Sequence, residues 1–162
     1  MIFWKYFIFC VCTTLSLFAD ASNFKETRYM YALDKNITLE GFITFGEQNI
    51  VIEYVKPESK VLTYFEEKLT IQDQNGYKVI DAQSMPSLNY FFMIIKAVHN
   101  DNSVLMSSFF DVTTKDEETL LSPKGVAAEV LEEVCITRHN QQLKSLHVKI
   151  KNGDRITIEI MD

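Results

Sequence analysis

Beyond its first two dozen residues the chain alternates apolar and polar side chains with a period of two, the pattern of β-strands with one buried face. Over 37–45, Ile37, Leu39, Ile43 and Phe45 share a face with Gly41. Thr38, Glu40 and Thr44 oppose them, and Phe42 is the exception. Residues 49–55 are rich in β-branched and aromatic side chains, with Ile50, Ile52 and Tyr54 on one face. A further strand over 60–65 carries Val61, Leu62, Tyr64 and Phe65. Strands over 69–73 and 77–82 flank Asn75-Gly76, a hairpin signal. Residues 24–33 read as another strand, with a helix as the alternative.

The C-terminal pattern fixes a register. Leu146, Val148 and Ile150 alternate with His147, Lys149 and Lys151; Ile156, Ile158 and Ile160 alternate with Arg155, Thr157 and Glu159. A two-residue Asn-Gly loop between them would pair His147 with Ile158 and mix the faces. A three-residue loop with Gly153 left-handed pairs Val148 with Ile156 and Leu146 with Ile158, so the side chains select the longer loop. Eight or more strands in sequential hairpins predict one large antiparallel sheet, strongly curved because open sheets of that size curl.

One segment breaks the period. After Met85-Pro86, the residues Leu88, Phe91, Phe92, Ile95 and Val98 have helical spacing. Pro86 suits a helix start, with Ser84 or Ser87 near the cap. Met93 and Ile94 make this helix apolar nearly all round, so it needs cover on most sides. Val104, Leu105 and Met106, then Phe109 and Phe110, continue the apolar stretch. A curved sheet with a concave apolar face and a greasy helix over it makes a lidded trough, a natural ligand cavity. The bland alternative is a helix packed on a sheet with nothing between them. Residues 116–118 read as a solvated turn, and 125–133 as a short helical turn before a strand over 133–138.

Residues 1–19 change the reading of where the protein works. Fifteen of them are apolar, Lys5 is their only charge, and small residues follow at Ala19 and Ala21. This is the pattern of a secretory signal peptide cleaved after Ala19 or Ala21, leaving a single domain over 22–162. The apolar run is short for a membrane anchor, and Thr13, Thr14 and Ser16 interrupt it. Cleavage would remove Cys10, Cys12 and Trp4, leaving Cys135 as the only cysteine. A soluble periplasmic protein held by its apolar core is the expectation. The net charge of −6 and the lack of a basic stripe argue against nucleic acid as a partner.

Chemistry is sparse. His99, His139 and His147 fall in no metal-ligand spacing. Cys135 and His139 are four apart on a predicted strand; the expectation is that they point to opposite faces, with Cys135 a buried structural thiol. Glu66-Glu67 and Glu132-Glu133 read as solvated pairs. There is no GxSxG, no glycine-rich phosphate loop, and little support for catalysis. Asp34-Lys35-Asn36-Ile37-Thr38 contains an Asn-x-Thr sequon with an acidic residue two before Asn36, the form bacterial N-glycosylation uses. An unshifted mass of the mature protein would dispose of that idea.

Several segments in sequence carry a family resemblance. They are Leu39-x-Gly41-x-Ile43-x-Phe45, the strand ending Glu53-Tyr54-Val55-Lys56-Pro57, and Leu69-Thr70-Ile71 before a turn. After them come the Pro86 helix, Leu121-Ser122-Pro123-Lys124, and the closing Asn152-Gly153-Asp154-Arg155-Ile156-Thr157-Ile158. Their order and spacing, from about Phe24 to the end, resemble the periplasmic outer-membrane lipoprotein carriers (LolA) and their LolA-like relatives. The resemblance implies an unclosed antiparallel β-barrel with one or two helices as a lid over an apolar cavity. It implies a monomeric carrier without a cofactor that shields acyl chains between an inner-membrane donor complex and an outer-membrane acceptor. At ~0.8 kcal/mol per methylene, exposing an acyl chain of about 16 carbons costs on the order of 12 kcal/mol, which is why a carrier is needed. By carried-over alternation, Leu39, Ile43, Phe45, Ile50, Ile52, Tyr54 and Leu62 would line the trough. Leu88, Phe91, Phe92 and Ile95 would form the lid.

Two departures qualify the resemblance. The family's carriers place a basic residue, usually followed by Pro, after the second strand to latch the lid. Here the loop reads Gly46-Glu47-Gln48, and a carboxylate cannot donate those hydrogen bonds. The sequence also stops at Asp162, without the extra C-terminal loop and strand of the longest members. Both point to a LolA-like variant whose cargo could be a different lipid or glycolipid instead of a lipoprotein. The reading predicts that Phe91→Glu weakens lipid binding more than folding. The alternative function, from a different class, is a periplasmic interaction or assembly module that uses the same curved sheet without a lipid cavity and binds a protein along an edge strand.

Overall fold

The computed structural model describes residues 20–81, 84–100 and 102–161. The expected signal segment, 1–19, and Ala82 at the expected end of a strand lie outside the described residues. The chain first runs through β1 (Asp20–Met30), β2 (Lys35–Phe45), β3 (Asn49–Lys56), β4 (Lys60–Phe65), β5 (Lys68–Asp73) and β6 (Gly76–Asp81). Two helices follow, α1 (Pro86–His99) and α2 (Ser103–Phe109), then β7 (Phe110–Lys115) and β8 (Glu118–Pro123). A short α3 (Ala127–Val130) precedes β9 (Leu131–His139), β10 (Gln142–Ile150) and β11 (Arg155–Met161).

All eleven strands join one antiparallel sheet in the order β6-β5-β4-β3-β2-β1-β11-β10-β9-β8-β7. The fold is mainly β, a sheet that is not closed into a barrel, with three helices. The first and last described strands pair at its centre, Phe24 opposite Ile160 and Glu26 opposite Ile158. The open edges are therefore β6 and β7, which are neighbours in the chain, and α1 and α2 connect them.

Curvature has identifiable sources. Between β2 and β3, Glu40 pairs with Lys56 but Gly41 pairs with Tyr54, so Val55 is an extra residue. Such a bulge bends the strand and raises its twist. The strands come so close there that a Cβ on Gly41 would lie 2.0 Å from the Glu53 carbonyl oxygen. Only glycine fits, which is the physical content of the Leu39-x-Gly41 pattern. Two more irregularities interrupt the β9–β10 pairing.

The C-terminal hairpin has the expected register. Leu146 pairs with Ile158 and Val148 with Ile156, and Gly153 is left-handed at φ 92°. The β5–β6 hairpin differs from expectation. Asp73 pairs with Gly76, so Gln74 and Asn75 form the turn and Gly76, at φ 124°, follows it. Asp73 Oδ1 accepts from the Asn75 backbone N–H at 2.7 Å, an Asx turn that shifts the loop back by one residue. Over 24–33 the strand reading holds to Met30, and a 3₁₀ turn over Tyr31–Leu33 ends it.

Helix α1 starts at Pro86 as expected, but neither serine caps it. Met85 is the N-cap and makes no side-chain capping bond, and Ser84 Oγ instead donates to the Asp81 carbonyl. The helix buries Phe91, Phe92, Ile94, Ile95, Ala97 and Val98. These meet Ile50, Ile52 and Leu62 from one half of the sheet and Leu131, Val134, Ile136 and Leu146 from the other, in one core. Each large side chain so buried contributes about 1.5–3 kcal/mol.

Candidate functional site

The eleven residues expected to line a trough and lid all belong to that one core or pack against it. Ile43, Ile50, Ile52, Tyr54, Leu62, Phe91, Phe92 and Ile95 are buried, and Leu39, Phe45 and Leu88 are partly buried. Beneath most of the helix, its own buried side chains pack against the sheet. The Phe92 ring stacks on Tyr64 with centroids 4.8 Å apart, and Phe45 stacks on His99 at 3.8 Å. Six residues of α1 are buried in the core shared with both halves of the sheet. Phe91, only 3% exposed, is a core residue, so Phe91→Glu would damage folding as much as binding.

An unfilled volume remains at the start of the helix. A cleft of about 420 Å³ has Leu39, Leu62, Leu69 and Ile71 on its walls, with Met85 and Leu88 above them. Four of the expected residues, Leu39, Tyr54, Leu62 and Leu88, border this cleft. Phe45 borders a second cleft of about 460 Å³ with Asn23, His99, Arg138 and Gln142, and the rest of the set lies in the packed interior.

The sequence reading missed a polar network in the wall of the first cleft. Phe24, Glu26 and Arg28 are two apart on β1 and share its inner face. Glu26 is fully buried. Tyr54 Oη donates to Glu26 Oε2 at 2.6 Å, Arg28 Nε bonds Glu26 Oε1, and Arg28 Nη2 donates to Tyr54 Oη at 3.1 Å. Burial first, and then the charge on Glu26, push the Tyr54 hydroxyl far above its ordinary value, so it stays a donor. Burial alone would lower the Arg28 guanidinium, but the adjacent Glu26 outweighs it and holds it above its ordinary value. The available signal was the spacing of Glu26 and Arg28 from Phe24. Lys25 and Thr27 are polar as well, so alternation alone does not show which face of the strand is buried.

The far end of α1 is tied down. Arg138 Nη2 donates to the Val98 carbonyl at 3.2 Å, and Lys96 Nζ reaches the Gln48 carbonyl at 3.5 Å. Across this contact the cation is on the helix and the loop beside Glu47 supplies the acceptor. The first turn is held less: Tyr64 Oη donates to Asn89 Oδ1 at 3.0 Å, while Met85 is 40% exposed.

Cys135 and His139 depart from expectation. Four residues is an even separation, so both point outward, to the convex face, while Val134 and Ile136 point inward. Cys135 is half-buried and sits opposite His147 on β10. Burial, followed by Glu118 and Glu133, pushes its thiol up, the reverse of nucleophile activation. His139 Nδ1 lies 2.8 Å from Glu117 Oε1. Asn36 of the sequon is exposed but held within β2 opposite Tyr29.

No family model matches the sequence, and no curated protein does. Among solved structures, the chain is similar to the crystal structure of a LolA superfamily protein from Nitrosomonas europaea. The two are 6% identical, with a TM-score of 0.41, over 89% of this chain and 84% of that one.

Proposed function

We propose that this protein is an exported, LolA-like carrier that shields acyl chains in transit towards the outer membrane, taking them first into the cleft under the opening turn of α1. The observation that carries the reading is the unfilled apolar volume itself. At about 420 Å³ it falls within the ~300–1,000 Å³ typical of small-molecule sites. Its walls come from strands β1 to β5, and its roof is the least buried part of the helix. In this reading the signal segment delivers the protein to the periplasm as a monomer. An inner-membrane donor loads it, and an outer-membrane acceptor that binds the cargo more tightly unloads it. Cargo is a lipoprotein's acyl chains or another lipid, and the transfer needs no cofactor.

The test is native mass spectrometry of protein purified from its host, followed by uptake of a labelled fatty chain after delipidation. Leu88→Glu places a charge in the roof of the cleft at a half-buried position. Uptake should fall at least about tenfold while the melting temperature moves by only a few degrees. Unaltered protein that neither retains nor takes up lipid would refute the carrier.

The filled interior beneath the rest of α1 favours the second reading, an assembly module that binds a protein along an edge strand. Tyr77 and Val79 on β6 are exposed at 67% and 53%. The same mass measurement separates the two, because a module with a solid core stays free of lipid.

A further inference from the structure

We infer that the cleft selects amphiphiles with an anionic head group, and that Arg28 is the residue that contacts the head. The inference rests on the carrier reading and names its ligand class. Arg28 has five N–H donors, of which Glu26 engages Nε and Tyr54 one on Nη2. Its side chain is 39% exposed and forms part of the cleft wall with Lys60, against the single carboxylate of Glu58. Donors therefore remain for a guest, in the same cleft as Leu39, Leu69, Ile71 and Leu88. A guanidinium presents parallel N–H groups that fit a carboxylate or phosphate edge, and such charge-assisted bonds are about twice as strong as neutral ones.

The buried partners make this a positioned cation rather than a loose one. Glu26 is on a central strand and fully buried, so its grip on Nε sets the plane of the guanidinium. Tyr54, held between the two, is a second positioning group. A network that served only to satisfy buried Glu26 would need no exposed guanidinium edge beside an apolar cleft. Glu26 also offsets part of the Arg28 charge, so its removal should strengthen anion binding rather than weaken it.

The experiment is isothermal titration of the delipidated protein with probes of one twelve-carbon chain and different heads: dodecanoate, dodecyl phosphate, dodecanol and dodecyltrimethylammonium. At mildly alkaline pH at least one anionic head should bind about tenfold tighter than the alcohol, with the ammonium weakest. The carboxylate and phosphate arms show which oxyanion fits. E26Q should widen the preference for anionic heads. E26Q/R28Q, which leaves no unpaired buried charge, should abolish it, so that anionic heads bind no tighter than dodecanol. Equal binding of anionic and neutral heads, or a preference that survives in E26Q/R28Q, overturns the inference and leaves the carrier intact. Failure of every probe to bind removes both. If circular dichroism shows that the double variant does not fold, the ranking of heads on the unaltered protein decides alone.

Discussion

Arg28→Ala isolates the energetic role of the buried network. In the native chain Glu26 has two partners, Arg28 and Tyr54, and no exposure to water. The substitution leaves a buried carboxylate with the Tyr54 hydroxyl alone. Stripping the partner from a fully buried pair costs ~3–5 kcal/mol, whereas an exposed pair is worth only ~0.2–1. This pair falls between those limits, because the Glu26 end is dry while the Arg28 side chain is 39% exposed and lines the cleft, where water screens it. The expected loss is about 2–3 kcal/mol, equivalent to a melting temperature lower by roughly 5–10 °C for a chain of this length. Urea unfolding at neutral pH, followed by far-ultraviolet circular dichroism, measures it. E26Q/R28Q should recover much of the deficit, since neither charge is left uncompensated. A loss below about 1 kcal/mol in R28A, or a double variant as unstable as the sum of its singles, would show that the pair is a surface contact.

Gly41→Ala must displace the β3 backbone, given a Cβ 2.0 Å from the Glu53 oxygen and 3.0 Å from Tyr54 Cα; chemical denaturation should show a loss above about 2 kcal/mol. A folded-state hydroxyl raised as far as that of Tyr54 contributes stability that is whole below the unfolded phenol's pKa of about 10 and is lost as pH climbs past it. Tyr54→Phe should therefore flatten the alkaline decline in stability, and equal slopes in both proteins would refute the assignment. The raised Cys135 thiol should react with iodoacetamide more slowly than free cysteine at neutral pH, and equal rates would contradict its burial among carboxylates.

Much of the sheet was legible because its face alternates so regularly. Leu146 and Val148 could find Ile158 and Ile156 only through a three-residue loop, and that is how they pair. The β5–β6 turn was misplaced by one residue because Asn-Gly is also compatible with glycine after the turn, and the side chain of Asp73 decides between them. Helix α1 was legible as a helix but not as a plug. Spacing reveals that Phe92 and Ile95 need cover, and it is silent on how deeply the helix sinks. Glu26 and Arg28 were hidden for a different reason. Charged residues in a strand read as solvated by default, and it is Tyr54, on the same inner face two strands away, that makes the buried pair tolerable.

The unequal grip on α1 decides how a guest chain could enter. Lifting the whole helix would expose Phe91, Phe92, Ile94, Ile95 and Val98. At ~1.5–3 kcal/mol each, that is about 7–15 kcal/mol, as much as the entire stability of a typical domain. Such an opening is not thermally accessible. Raising only the first turn uncovers Met85 and Leu88, which are already exposed in part, and breaks the Tyr64–Asn89 hydrogen bond. Low-stability ends of this kind open first. A chain admitted there then brings its own hydrocarbon, on the order of 12 kcal/mol for about 16 carbons. That is comparable to what the helix side chains would surrender if it advanced beneath them. If the protein is the proposed carrier, insertion would proceed stepwise from the Pro86 end, each guest methylene replacing contact with a helix residue, without any stage that leaves the trough empty.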